Sequence, residues 1–168
     1  IFPRQILLTS SRAVYGEGSW RRKATGEIYY PGQRTDAQLA LHQWDFGGAE
    51  GQPVDARITE PRPSSIYAAT KLCQENLLSS WCGAYHVAFK RVRLQNVYGA
   101  GQSLINSYTG IVSLFVRQAR AGGTIELYED GQIVRDFIYI DDVARAILLD
   151  LQSPNGEGRV MDIGKARE

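Results

Sequence analysis

The 168-residue sequence has few of the features that mark membrane-spanning or nucleic-acid-binding proteins. No apolar run approaches the ~20 residues that a membrane-spanning helix needs, so we expect no membrane partner. Lysine and arginine number 19, against 18 for aspartate and glutamate. This balance leaves no basic surface for a nucleic acid, and we expect no such partner either.

Cysteine and histidine are scarce, with two of each. Cys73 and Cys82 are nine residues apart, so on one helix they would point to opposite faces. There they can form neither a disulfide nor a pair of metal ligands. We therefore predict two reduced thiols and no metal site. Because free thiols are typical of reducing compartments, we also predict a cytoplasmic location.

Short apolar runs alternate with stretches of helical periodicity along most of the sequence. We predict strands at residues 5–9, 86–92, 124–128, 135–140 and 160–163. We predict helices at residues 64–81 and 109–121, and a third that Asp141 caps. Strands that alternate with helices indicate an α/β protein with a largely parallel sheet.

Residues 17–63 interrupt this alternation and are rich in glycine, proline, arginine and aspartate. We interpret them as a long insertion with one short helix at about 36–44. The segment holds no cysteine and only His42, so it is not a zinc-binding loop. Because long connections without regular structure are uncommon, we expect the insertion to be functional or partly disordered.

Tyr67 and Lys71 are the first candidates for chemistry. Residues four apart on a helix share a face, so the phenol and the ammonium can face one pocket. A lysine cation favours the ionised form of a neighbouring tyrosine, which makes the tyrosine a usable acid/base for a sugar hydroxyl. This spacing is weak evidence when taken alone, because two surface residues show it by chance.

Ser10 and Ser11 directly follow the first predicted strand, at the start of a segment that ends at Gly16. Ligands of open α/β sheets bind outside the carboxyl ends of the strands. A serine at this place can hydrogen-bond a substrate hydroxyl, although turn serines are also common.

These two motifs, in this order, resemble those of the extended short-chain dehydrogenase/reductase family of nucleotide-sugar epimerases and dehydratases. Four further segments are similar to that family's motifs, at residues 60–66, 93–102, 125–131 and 135–143. The resemblance implies part of a Rossmann-like, doubly wound parallel sheet. It also implies the start of a small substrate-binding domain, to which about 103–140 contribute.

The resemblance implies specific roles in catalysis. Ser11 would orient the sugar, and Tyr67 would be the acid/base. Lys71 would hold the nicotinamide ribose and lower the pKa of the tyrosine. The implied cofactor is NAD, with NADP not excluded, and Ser10, Leu94 and Gln95 would lie beside it together with Tyr67 and Lys71.

The resemblance also implies a substrate-binding set. Asn96 and Arg135 would contact the diphosphate of a nucleotide sugar, and Tyr128 would stack near the base. An arginine fork suits phosphate oxygens. Arg135 as an exposed salt-bridge partner, and Asn96 and Tyr128 as structural residues, are the alternatives.

One expected motif is absent, because no G-x-G-x-x-G occurs in the sequence. That loop normally binds the dinucleotide pyrophosphate. The sequence also starts on a predicted strand and stops just after one. We therefore interpret it as a piece truncated at both ends, without the glycine-rich amino-terminal half. We expect this piece to be inactive on its own.

The favoured activity is 4-epimerisation of a nucleotide sugar, with a 4,6-dehydratase as the alternative. The resembled dehydratases carry an acidic pair after the serine or threonine, where this sequence has Arg12 and Ala13. Residues 10–16, 95–98 and 107–110 are most similar to the dTDP-rhamnose 4-epimerase type, with the UDP-glucose 4-epimerase type close to it. A non-catalytic remnant of the family is the third possibility.

A homodimer is the last expectation from the resemblance, since relatives pair through the tyrosine-bearing helix. Helix 64–81 has an apolar stripe that permits such pairing. Its members are Ile66, Ala69, Cys73, Leu77 and Trp81.

Overall fold

The computed structural model describes residues 2–103, 110–154 and 158–165. Eight strands and four helices follow one another in these ranges, with one 3-10 turn at Arg12–Tyr15 after the first strand. In chain order they are β1 (Gln5–Ser11), β2 (Trp20–Arg22), β3 (Ile28–Tyr29), α1 (Asp36–Ala40), β4 (Ala49–Gly51), α2 (Ile66–Tyr85), β5 (Ala88–Leu94), β6 (Asn96–Tyr98), α3 (Ile111–Arg120), β7 (Phe137–Tyr139), α4 (Ile140–Gln152) and β8 (Val160–Ile163).

A three-stranded parallel sheet in the order β1-β5-β8 forms the frame of the molecule. The central strand β5 is buried at Phe89 and Val92, as a parallel strand covered on both faces must be. Helix α2 is the last element of the long connection between β1 and β5, and α4 leads into β8. The predicted α/β class and parallel sheet are confirmed, and β8 coincides with the strand predicted at 160–163.

Helix α2 is the longest element, with 20 residues. Ser65 caps it by accepting a hydrogen bond from the Ala68 amide, and it ends at His86, which has a left-handed backbone. Its inner face packs Cys82 against β5, while Ile66 and Leu77 are 87% and 65% exposed. The apolar stripe predicted from the sequence therefore lies mostly on the outer side of this chain.

Residues 17–63 have more regular structure than the sequence suggested. Strands β2, β3 and β4 form an antiparallel sheet in the order β3-β2-β4. It has a small core of its own, made by Trp20, Phe46 and Ala49. Helix α1 begins at a capping box of Thr35 and Gln38. Strands of two or three residues are too short to show an alternating pattern, which is why the sequence did not predict them.

Three predictions between residues 124 and 141 differ from the structure. Residues 124–128 form no strand, since the described part of the chain offers them no strand partner. The strand predicted at 135–140 is confined to β7, which pairs with β6. The N-cap of α4 is Tyr139 rather than Asp141, which lies in the first helical turn, where an acidic side chain suits the helix dipole.

Part of the sequence motif at residues 107–110 cannot be compared with the structure, because residues 107–109 lie outside the described ranges. Within those ranges, no helix is long and apolar enough to cross a membrane.

Gly16, in the segment that follows β1, lies against the chain before α2. It has φ +59°, and a Cβ there would overlap the carbonyl oxygen of Arg62. We predict that Gly16→Ala costs about 1–3 kcal/mol more unfolding free energy than Gly26→Ala. Gly26 has φ +73° and no atom within 4 Å of a built Cβ, so it controls for backbone strain alone. Urea unfolding measures both, and equal losses would contradict the predicted overlap.

Candidate active site

Ser11 lies at the carboxyl edge of the parallel sheet. It is the last residue of β1 and the N-cap of the turn at Arg12–Tyr15, where its Oγ accepts a hydrogen bond from the Ala13 amide at 3.2 Å. In register, Ser11 pairs with Leu94 of β5, which pairs in turn with Ile163 of β8. This is the edge where ligands of parallel α/β sheets bind.

Tyr67 and Lys71 approach the same edge from α2. The Lys71 Nζ donates a hydrogen bond to the carbonyl oxygen of Thr9 at 3.2 Å, two residues before Ser11. Tyr67 is 44% exposed, and no residue in the described part of the chain hydrogen-bonds its hydroxyl. The three predicted catalytic residues therefore come from two elements that meet at the end of β1.

Leu94 and Gln95 complete this edge from β5. The Gln95 amide donates to the Ile163 carbonyl at 2.9 Å, which continues the sheet for one residue beyond β5. Asn96 donates both its backbone amide and its side-chain Nδ2 to the carbonyl of Asp136, at 3.0 and 2.9 Å. These bonds give both the backbone nitrogen and the side-chain Nδ2 of Asn96 a structural role at the start of β6.

The other predicted residues are placed differently. Ser10 is buried, and its hydroxyl donates to Glu75 at 2.5 Å, inside the sheet–helix interface. Tyr128 is 71% exposed. Arg135 is exposed, and among the described residues its one hydrogen bond goes to the carbonyl of its neighbour Val134. Their predicted binding roles stay predictions, and the Ser10 side chain does not face the sheet edge where Ser11 lies.

Arg12 and Arg135 influence each other electrostatically at this end of the sheet. Burial and the positive charge of Arg135 lower the pKa of Arg12, while Glu17 and Asp136 act in the opposite direction. No described residue forms a hydrogen bond or ion pair with the Arg12 guanidinium. An anion near both arginines would relieve their mutual repulsion.

The interior behind the site contains a buried ion pair that the sequence analysis missed. Arg93 donates to Glu75 from Nε at 3.0 Å and from Nη2 at 2.8 Å, and the two side chains are only 5% and 1% exposed. Burial raises the pKa of Glu75, but the hydrogen bonds from Arg93 and Ser10 outweigh it, so the pKa lies below its ordinary value. The feature of the sequence that could have pointed to this pair is a carboxylate four residues after Lys71, on the inner face of the helix.

The pair continues into a second buried contact. The Arg93 guanidinium lies 4.8 Å from the centroid of the Tyr15 ring, whose hydroxyl donates to Asp162 of β8 at 2.8 Å. The other carboxylate oxygen of Asp162 accepts the Ala56 amide at 2.7 Å. Burial raises the pKa of both Tyr15 and Asp162.

Comparison with known proteins identifies the family. The model of the NAD dependent epimerase/dehydratase family matches residues 46–164. The chain belongs to this family. Among the described residues, no group of three or more histidine, cysteine, aspartate or glutamate side chains is placed to hold a metal ion.

Several relatives are similar over nearly the whole chain. A dTDP-L-rhamnose 4-epimerase of Burkholderia thailandensis is 57% identical over 162 residues, which cover 96% of this chain and 44% of the relative. The UDP-glucose 4-epimerase of Thermus thermophilus, solved with NAD, has a TM-score of 0.65 at 27% identity, covering 98% and 43%. A UDP-N-acetylglucosamine 4-epimerase of Methanobrevibacter ruminantium has the same fold, with a TM-score of 0.67 at 24% identity, covering 98% and 42%. The chain thus spans less than half the length of each relative.

The buried ion pair generates a prediction about stability and pH. Glu75→Gln leaves Arg93 buried without a counter-charge, which costs about 3–5 kcal/mol of unfolding free energy at pH 7. Because the pKa of Glu75 is lower in the folded than in the unfolded state, its carboxylate contributes fully to stability above the unfolded pKa. This contribution is lost as the pH falls through the pKa of the folded state. The difference in unfolding free energy between wild type and Glu75→Gln therefore narrows below about pH 4.

Denaturant unfolding between pH 7 and pH 3 measures this gap. Glu27→Gln is the control, because Glu27 pairs with Arg22 on the surface, where an ion pair contributes about 0–1 kcal/mol. A Glu75→Gln variant as stable as Glu27→Gln would contradict the assigned role.

Proposed function

We propose that the whole protein is a nucleotide-sugar 4-epimerase. The observation that carries this proposal is the contact of Lys71 with the Thr9 carbonyl, which brings the tyrosine–lysine face of α2 to the strand end that carries Ser11. The 57% identity with a dTDP-L-rhamnose 4-epimerase supports the same reaction and favours a dTDP-linked 6-deoxyhexose as the substrate class.

In the proposed reaction, Tyr67 takes the proton of the C4 hydroxyl while C4 is oxidised to a ketone. Ser11 hydrogen-bonds the same oxygen and holds the sugar in place. When C4 is reduced from the other face, Tyr67 returns the proton, so the net result is inversion at C4. Positioned proton transfer of this kind is worth about 10²–10⁴-fold in rate.

The residues at the sheet edge fit a nicotinamide cofactor, which we propose to be NAD. Lys71 uses one of its three donors on Thr9, which leaves two for ribose hydroxyls. Leu94 and Gln95 present backbone at the same edge. When bound, the cofactor supplies the hydride acceptor and donor for C4, and the protein supplies orientation and proton transfer.

We propose that the substrate diphosphate lies at Arg135, with residues of about 103–140 forming the nucleotide-sugar part of the site. The repulsion between Arg12 and Arg135 supports an anion at this place. Asn96 and Tyr128 are the further proposed contacts. Arg34 connects residues 17–63 to this region, since it pairs with Glu17 at 3.1 Å and lies 4.0 Å from Glu129. This contact supports a role for the insertion in substrate choice.

The chain's own residues argue against the dehydratase alternative. Elimination of water across C5 and C6 needs a base for the C5 proton and an acid for the leaving hydroxyl. In the turn after Ser11, Arg12 is a cation and Ala13 has no proton to give. The turn after Ser11 therefore supplies no acid or base for elimination at the place where the resembled dehydratases carry an acidic pair.

We also propose a cytoplasmic homodimer. The outer face of α2 supports the dimer, because it exposes Ile66, Cys73 and Leu77, and the last two help to line a shallow groove. Both cysteines are free, which suits a reducing compartment.

Tyr67→Phe tests the proposed acid/base. In the complete protein we predict a loss of about 10²–10⁴-fold in the rate of C4 epimer interconversion with little change in substrate affinity, because only the proton-transferring hydroxyl is removed. Steady-state kinetics with a dTDP-linked 6-deoxyhexose measures both. Tyr85→Phe, at the far end of the same helix, is the matched control and should keep the wild-type rate. A Tyr67→Phe variant with half the wild-type rate would show that the tyrosine is misassigned, and an inactive wild type would refute the epimerase.

A further inference from the structure

The proposed catalytic and cofactor residues lie on three segments: the end of β1, the end of β5 and helix α2. The buried carboxylate of Glu75 belongs to α2 and hydrogen-bonds residues of both strands. Glu75 lies one helical turn after Lys71 on α2. Its Oε1 accepts from Ser10, the residue before Ser11, at 2.5 Å. Both its oxygens accept from Arg93, the residue before Leu94, at 3.0 and 2.8 Å.

We propose that Glu75, through Ser10 and Arg93, is a positioning residue that sets the geometry between Ser11, the Tyr67–Lys71 face and the end of β5. This inference rests on the proposed function for its kinetic consequence. Its structural content, a clamp between two strand ends and a helix, concerns the chain itself. None of the three clamp residues contacts substrate in this account.

The chemistry of the contact explains why a charged pair serves this purpose. An arginine fork and a carboxylate meet through two parallel hydrogen bonds, which fixes the relative orientation of their planes as well as their distance. The Ser10 hydroxyl adds a third donor to the same carboxylate. A buried ion pair is a poor source of net stability, because both charges lose their hydration, so its geometric specificity is the effect to test here.

The clamp is itself held in place from the other side. Arg93 stacks on Tyr15, whose hydroxyl donates to Asp162 of β8. Tyr15 closes the turn that begins after Ser11. The segment from Ser10 to Tyr15 is therefore attached to the clamp at both of its ends, and Ser11 lies between these attachments.

Ser10→Ala in the complete protein is the test, because it removes one buried oxygen and leaves the ion pair in place. We expect amide hydrogen exchange of residues 9–13 to rise at least tenfold. We also expect kcat to fall at least tenfold while KM stays within twofold, since small misplacements of reacting groups reduce rate strongly. Arg93→Lys keeps the charge, loses the fork and should give the same local signature.

Cys82→Ala is the matched control, because it also deletes one buried heavy atom from the interface between α2 and the parallel sheet without touching the clamp. It should leave exchange of residues 9–13 and kcat at wild-type values. Unchanged exchange of residues 9–13 in Ser10→Ala, a rise spread evenly over the chain, or an unchanged kcat in an active enzyme would each overturn the inference. If the wild type does not epimerise, the proposed function fails, while the exchange result still decides whether the clamp holds these segments.

Discussion

The ion pair between Glu75 and Arg93 is the constraint on which the rest of the site depends. It lies where α2 crosses β1 and β5, and it leaves neither charge exposed to solvent. A charge buried to this degree needs a partner with good geometry, so the helix and the strand can adopt only a narrow range of relative positions. Lys71, one turn before Glu75, thereby reaches the end of β1.

Much of the frame was predictable from the sequence because it depends on local patterns. Apolar runs placed β1, β5 and β8 to within a few residues, and helical periodicity placed α2. The strands within residues 17–63 were missed, since two or three residues carry no measurable period. The strand predicted at 124–128 failed because strand propensity has no effect without a partner to pair with.

The candidate site was predictable where chemistry and spacing coincide, as for Tyr67 and Lys71. Its supporting contacts were not, because they depend on which residues meet across the fold. Ser10 and Ser11 are adjacent and alike in sequence, yet one hydroxyl enters the buried interface while the other remains at the sheet edge. The alternation of side chains along a strand separates them. Only their hydrogen-bond partners, Glu75 for Ser10 and the Ala13 amide for Ser11, show which hydroxyl is buried and which lies at the sheet edge.

The central proposal is that the complete protein oxidises and re-reduces C4, and that the turn after Ser11 carries no acid or base for elimination at C5 and C6. The most direct measurement incubates the complete protein in deuterium oxide with a dTDP-linked 6-deoxyhexose and, separately, with the matching hexose that keeps its 6-hydroxyl, and follows each sugar by NMR. Inversion at C4 with no solvent deuterium at C5 is the predicted result, since neither Arg12 nor Ala13 serves as a base for the C5 proton. Accumulation of a 4-keto-6-deoxy sugar from a substrate with a 6-hydroxyl would contradict the claim and favour a dehydratase.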